Sequence, residues 1–188
     1  MASLWFEKEG PENTDQTLAA ALEAARSQKL THIVIATTSG ETARKLGELT
    51  RAARWNGKIV AVSHAWGFRE KGKNSLSEET RAALTASGIT VISATHVLSG
   101  VERALSTKFQ GVNPVEIIAH SLRLLGQGTK VAVEISSAAL DAGALPWGQE
   151  VVAIAGTRTG ADTAVVIRPD YSANLFDSRI RQYLAKPL

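Results

Sequence analysis

The chain has 188 residues, 44% of them hydrophobic and 21% charged, with 21 lysines and arginines against 18 aspartates and glutamates. That length suits a single domain, residues 1–188, with a real core, and the composition excludes a disordered chain. The net charge of +3 comes without a dense basic run and the sequence has no cysteine, which argues against nucleic acid as a partner, against disulfides and thiolate metal sites, and for a reducing, cytoplasmic setting.

Met1 to Lys8 lack the basic-then-apolar order of a signal peptide, and no apolar run approaches the roughly 20 residues needed to span a bilayer. A helix is predicted over residues 14–27, with Leu18, Leu22 and Ala25 on one face and Asn13 as its cap, Gln16 following at capping-box spacing. Ile33 to Ala36 is a short β-branched run, read as a buried strand. Residues 41–54 read as a helix with Ala43, Leu46, Leu49 and Ala53 inward, and Lys58 to Val62 as a second strand after the turn Asn56-Gly57. The polar loop 63–75 is longer than a simple connection requires, which marks it as functional or mobile. Ser75 and Glu78 suggest the start of a helix that Gly88 ends, and Ile89 to Ser93 a third strand. A helix follows over 97–108, and Asn113-Pro114 restarts one that runs to Gly126. Lys130 to Ile135 reads as a fourth strand, 136–144 as a short Ala-rich helix, Val151 to Ala155 and Thr163 to Arg168 as two further strands, and 174–184 as a final helix.

Strands that alternate with helices imply parallel pairing through right-handed crossovers, with helices on both sheet faces. The last two strands are joined by only seven residues, too few for a crossover, so an antiparallel hairpin is expected at the sheet's edge. The expected fold is a three-layer α/β/α sandwich whose mostly parallel sheet has an antiparallel edge strand.

Ligands bind such sheets at the carboxyl ends of the strands. Thr37-Thr38-Ser39-Gly40 sits there, between a strand and a helix, with Thr42 one turn on. Its hydroxyls and the unpaired N–H groups of a helix start suit a phosphate, while Gly40 would let backbone approach a ligand. The alternative is a plain cap, because Thr38 and Glu41 have capping-box spacing. His64, Trp66, Gly67 and Phe68 offer a histidine and two aromatics able to stack on a planar ring, or to pin the loop to the core. Thr95 and His96 occupy the equivalent end of another strand, and a histidine pair would need a third ligand, Glu134 or Asp162, to hold a metal. No metal site is expected. In the last loop, Arg158 could meet an anion and Asp162 accept from a hydroxyl or ring N–H; His32 and His120 read as structural.

Residues 33–44, IVIATTSGETAR, resemble the first strand, loop and helix of the pyruvate kinase C-terminal domain, whose similar loop holds a phosphate of a sugar bisphosphate effector. Pro11 to Thr14, Gly67 to Glu70, Thr95 to Arg103 and Gly160 to Pro169 are similar to a stand-alone archaeal and bacterial group related to that domain and without an assigned activity. The resemblance implies the same three-layer fold and, because the group is associated with it, flavin mononucleotide (FMN) as cofactor. It would place the phosphate on Thr37, Thr38, Ser39, Gly40 and Thr42, and the ribityl chain and ring on His64, Gly67, Phe68, Thr95, His96 and Asp162. Pyruvate kinase activity does not carry over, because its barrel of roughly 250 residues exceeds this chain. No lysine adjoins the loop to complete a sugar bisphosphate site. Two functions follow. One is a flavin-dependent oxidoreductase with His64 or His96 as proton donor. The other is a non-catalytic sensor or carrier of a small phosphorylated ligand, a sugar phosphate or nucleotide. An exposed sheet edge would suit a homo-oligomer.

Overall fold

The computed structural model describes residues 2–188. Its strands are β1 (Leu4–Phe6), β2 (His32–Ala36), β3 (Lys58–His64), β4 (Thr90–Ala94), β5 (Val151–Ala155), β6 (Thr163–Arg168) and β7 (Arg179–Pro187). The helices are α1 (Thr14–Ser27), α2 (Glu41–Ala52), α3 (Glu78–Ala86), α4 (Gly100–Phe109), α5 (Pro114–Arg123) and α6 (Gln127–Asp141). The strands form one sheet in the order β1-β7-β6-β5-β2-β3-β4. All neighbours pair in parallel except β5 with β6 and β6 with β7.

Side chains alternate across each strand, and the sheet therefore feeds two cores. Ile33, Ile35, Val152 and Ile154 point to the face covered by α1, α2 and α3, with Leu18, Leu46 and Leu84 beneath. Val34, Val60, Ala153 and Val165 point the other way, onto Ala132, Val133, Ala139 and Leu140 of α6. Buried aliphatic side chains of this kind each contribute about 1.5–3 kcal/mol. No residue of α4 is buried, and its Val101 and Phe109 are largely exposed. Among the described residues no helix is long and apolar enough to cross a membrane.

The three-layer, mostly parallel architecture is as expected, with the antiparallel pairing on one side of the sheet. Four local expectations are corrected. The β5–β6 hairpin is not terminal, because β7 and β1 continue the sheet beyond it. Residues 130–135 are helical, inside α6, not a strand; 12 of the 15 α6 residues are buried, Lys130 and Glu134 among them, and the β-branched residues between and beside that pair read locally as a strand. The final helix is a 3₁₀ turn, Ser172–Asp177, followed by β7. Register shifts on β7 between the partners of Ala164 and Val165, and of Val166 and Ile167, break the period-two pattern that would have exposed the strand. Finally, α3 is capped by Ser77, whose hydroxyl accepts from the Thr80 N–H at 3.1 Å, not by Ser75.

Candidate functional site

The carboxyl ends of β2, β3 and β4 open into a cavity of about 560 Å³, within the range of about 300–1,000 Å³ usual for cofactor sites. Its first wall is the loop between β2 and α2. Gly40 adopts φ +94°, and its N–H donates to Thr37 Oγ1 at 3.0 Å. Thr42 Oγ1 donates to the Ala36 carbonyl at 3.0 Å and lies 3.3 Å from Thr37 Oγ1. The loop is thus held by its own threonines, without the Thr38–Glu41 capping box, and the first N–H groups of α2 have no intrahelical acceptor. Lys45, one turn into α2, lines the same wall and pairs with Asp15 at 3.2 Å.

The second wall is aromatic. His64, the last residue of β3, stacks on Phe68 with ring centroids 4.3 Å apart and planes 14° apart. His96 lies 4.7 Å from Phe68 and 5.3 Å from His64. Arg103 of α4 sits over the Phe68 ring at 5.6 Å. Thr38 Oγ1 is 3.3 Å from His64 Nε2, so the two walls touch. A polar net anchors the platform: Asn74 Nδ2 donates to the His64 carbonyl at 2.9 Å and to Ser93 Oγ at 3.1 Å, and Arg81 donates to the same Ser93 oxygen at 2.7 Å.

The third wall is α6. Glu134 is 3% exposed and accepts from the Leu98 N–H at 3.0 Å and from Lys130 Nζ. Lys130, 4% exposed, has its ammonium pushed below the usual lysine range by burial, against the pull of Glu134. Through Leu98, Glu134 also fixes the segment that carries His96.

Thr37, Thr38, Ser39, Thr42, His64, Phe68, Thr95 and His96 all line this one cavity. Gly40, Gly67 and Asp162 do not. A Cβ on Gly40 would fall 2.4 Å from Thr80 Cγ2 and 3.2 Å from Leu76 Cδ1, so this glycine serves the packing of α3 and the left-handed turn rather than approach by a ligand. Asp162 is fully buried, and its oxygens accept from Thr163 Oγ1 at 2.8 Å, Thr157 N–H at 3.2 Å and Gly10 N–H at 3.3 Å. It holds the β5–β6 loop to the chain before α1. Trp66 is 57% exposed and stands outside the cavity. Lys45, Arg103, Arg123 and Lys130 line the cavity without having been singled out in the sequence. The Lys130/Glu134 spacing of four residues was the available signal, since it joins side chains only on a helix. Glu134 meets Lys130 in α6 rather than the two histidines at a strand end.

Burial holds the His64 imidazole below the ordinary value of 6.5, with His96 and Arg69 pushing the same way. Burial also lowers His96, opposed by Glu134 and assisted by Lys130 and Arg103. The unfolded chain therefore takes up protons near pH 6.5 while the folded chain does not. The stability carried by these two groups is complete above pH 6.5 and is lost as pH falls from there through their folded-state values. The urea midpoint is expected to drop between pH 7.5 and 5.5, and the His64→Asn/His96→Asn variant to show a shallower slope. An unchanged slope would assign the effect elsewhere, His32 being the third histidine lowered by burial.

A family model described as the pyruvate kinase alpha/beta domain matches residues 15–167. Among solved structures the chain is similar to Cryptosporidium parvum pyruvate kinase in complex with ADP, at 16% identity and a TM-score of 0.40, over 83% of this chain and 23% of that one. The chain spans less than a quarter of that protein's length.

Proposed function

Because the chain belongs to the pyruvate kinase alpha/beta domain family and carries oxyanion donors and a ring platform in one cavity, we propose that it binds a phosphorylated ligand with a planar ring, FMN. The observation that carries this reading is the contact between the two walls. Thr38 belongs to the loop and touches His64, which belongs to the platform. A ligand whose phosphate meets the loop has its remaining atoms directed over His64, Phe68 and His96. The donor set fits the group: hydroxyls of Ser39 and Thr38, free helix-start N–H groups and Lys45 for the phosphate, and stacked planar faces for the isoalloxazine. A carrier for sugar phosphates would need the loop alone, and the platform favours the ring.

When bound, FMN would supply hydride and electron transfer. The residues of the chain would hold, orient and protonate. Thr38 and Ser39 would fix the phosphate, and Phe68 would support one ring face. His96, which packs against the platform and whose imidazolium the Glu134 carboxylate favours, would take up a proton and deliver it in an oxidoreductase reaction.

Titration of FMN into the purified chain, followed by visible absorbance and flavin fluorescence, is expected to saturate at micromolar ligand, about −8 kcal/mol. Ser39→Asp places a carboxylate where the phosphate would lie and should weaken binding about 100-fold, or about 2.7 kcal/mol. Riboflavin, which lacks the phosphate, should bind wild type and variant alike. No saturable change with wild type overturns the flavin reading and moves the search to sugar phosphates and nucleotides.

A further inference from the structure

The α4 and α6 side of the cavity carries a charge that neither the phosphate loop nor the ring platform uses. Arg103 from α4, Arg123 from the end of α5 and Lys130 from α6 all line it. Glu134 also lines this side, and its two oxygens are already occupied by the Leu98 N–H and Lys130. Arg103 and Arg123 both act on Lys130 as like charges. No ion pair among the described residues involves either arginine. Arg123 Nε donates to Gln127 Oε1 at 2.8 Å, which sets the plane of the guanidinium and leaves its terminal nitrogens for something else. Three cations facing one committed carboxylate in a partly enclosed cavity repel one another, and a bound anion would relieve that repulsion.

The chemistry of that anion follows from the positions. A guanidinium presents paired donors that match a carboxylate, and two of the three cations are arginines. Arg103 lies over Phe68, at the edge of the platform, so an oxyanion held there sits beside whatever ring the platform carries. The phosphate loop is another wall of the cavity, leading into α2, which packs on the opposite face of the sheet from α6, and it supplies its own donors. We propose that Arg103, Arg123 and Lys130 form a second anion subsite, which holds the carboxylate of a small organic acid against the bound ring. This assignment names the substrate class of the same cavity, and its substrate role rests on the flavin reading.

Oxalate, an unreactive carboxylate, is the probe. Calorimetric titration of the full chain with oxalate should show a saturable site. Arg103→Gln and Arg123→Gln should each weaken it about 10-fold, and the Lys variants should recover part of the loss. Both arginines are exposed, so these substitutions spare the core. Ser39→Asp should lose FMN and keep oxalate. Absence of oxalate binding, indifference to both Gln variants, or loss of oxalate in Ser39→Asp would each overturn the subsite. Inorganic phosphate binding more tightly than oxalate at the same arginines would overturn the carboxylate assignment in favour of a second phosphate. Arginine-dependent oxalate binding in a chain that takes no FMN would support the subsite while removing the flavin reading.

Discussion

Replacing Glu134 with Leu is expected to destabilise the fold by about 3–5 kcal/mol, the loss usual when one partner of a buried ion pair is removed. Two groups are stranded at once. Lys130 keeps a buried ammonium without its carboxylate, and the Leu98 N–H loses its acceptor. For a chain of this size that corresponds to a melting point lower by roughly 10 °C or more. Lys130→Met combined with Glu134→Leu should recover most of the loss, because an apolar pair of similar volume needs no charge partner. The single variant should also suffer less at high pH. Its Lys130 would lie further below the ordinary lysine range, so the unfolded chain would bind the extra proton, and stability would rise as pH climbs toward 10.5. A single variant no weaker than the double one would mean that Lys130 reaches water, and the buried pair would then contribute little.

Asp162 is the second position where a large effect is expected, and its two variants should diverge. Asp162→Ala strands two backbone N–H donors and a hydroxyl around a fully buried side chain, and about 3–5 kcal/mol should be lost at about 1–3 kcal/mol per unpaired group. Asp162→Asn keeps one oxygen for the Gly10 and Thr157 N–H groups, and its amide can donate to a reoriented Thr163 hydroxyl. That variant should lose about 1 kcal/mol. Both outcomes can be read from urea denaturation. FMN affinity should change little in Asp162→Asn, since the side chain lies outside the cavity. A tenfold or greater loss of FMN affinity with stability intact would return Asp162 to the ligand, where the sequence alone had placed it.

The elements that could be read from sequence were those whose surroundings match their local chemistry. Helix α1 has one apolar stripe, and β5 and β6 are β-branched runs bounded by turn residues. The loop Thr37-Thr38-Ser39-Gly40 could be recognised as a strand-to-helix turn because its glycine and hydroxyl residues make the hydrogen bonds that close it. Helix α6 could not, because Val131, Val133 and Ile135 around its Lys130 and Glu134 favour a strand locally, and the burial of that charged pair goes against the usual solvent-facing reading of a polar stripe. Strand β7 was hidden by its bulges, and β1 by its three-residue length. That His64, Phe68 and His96 lie near one another could be expected because β3 and β4 are neighbouring parallel strands whose ends are legible. That Arg103, Arg123 and Lys130 join them could not, because they reach the cavity only once α4, α5 and α6 have been laid over the sheet. In the same way the sequence could not show that Asp162 accepts from the backbone of Gly10, far upstream, and of Thr157, across the loop.

The edge formed by β1 and β7 has a consequence for how the chain is made. Leu4 pairs with Ala185 and Phe6 with Pro187, so the pairing joins segments separated by nearly the whole polypeptide. The entropy of closing so long a loop grows only logarithmically, so the cost falls on the folding rate more than on the finished stability. On the ribosome β2, β3 and β4 emerge well before β7, and the rim of the cavity can be drawn together while Leu4–Phe6 still waits for a partner. Between the synthesis of β6 and that of β7, the backbone of β6 from Ala164 to Arg168 is an unpaired strand edge. Synthesis of β7 is therefore the step at which a nascent chain of this protein either seals its sheet or offers that edge to a neighbour.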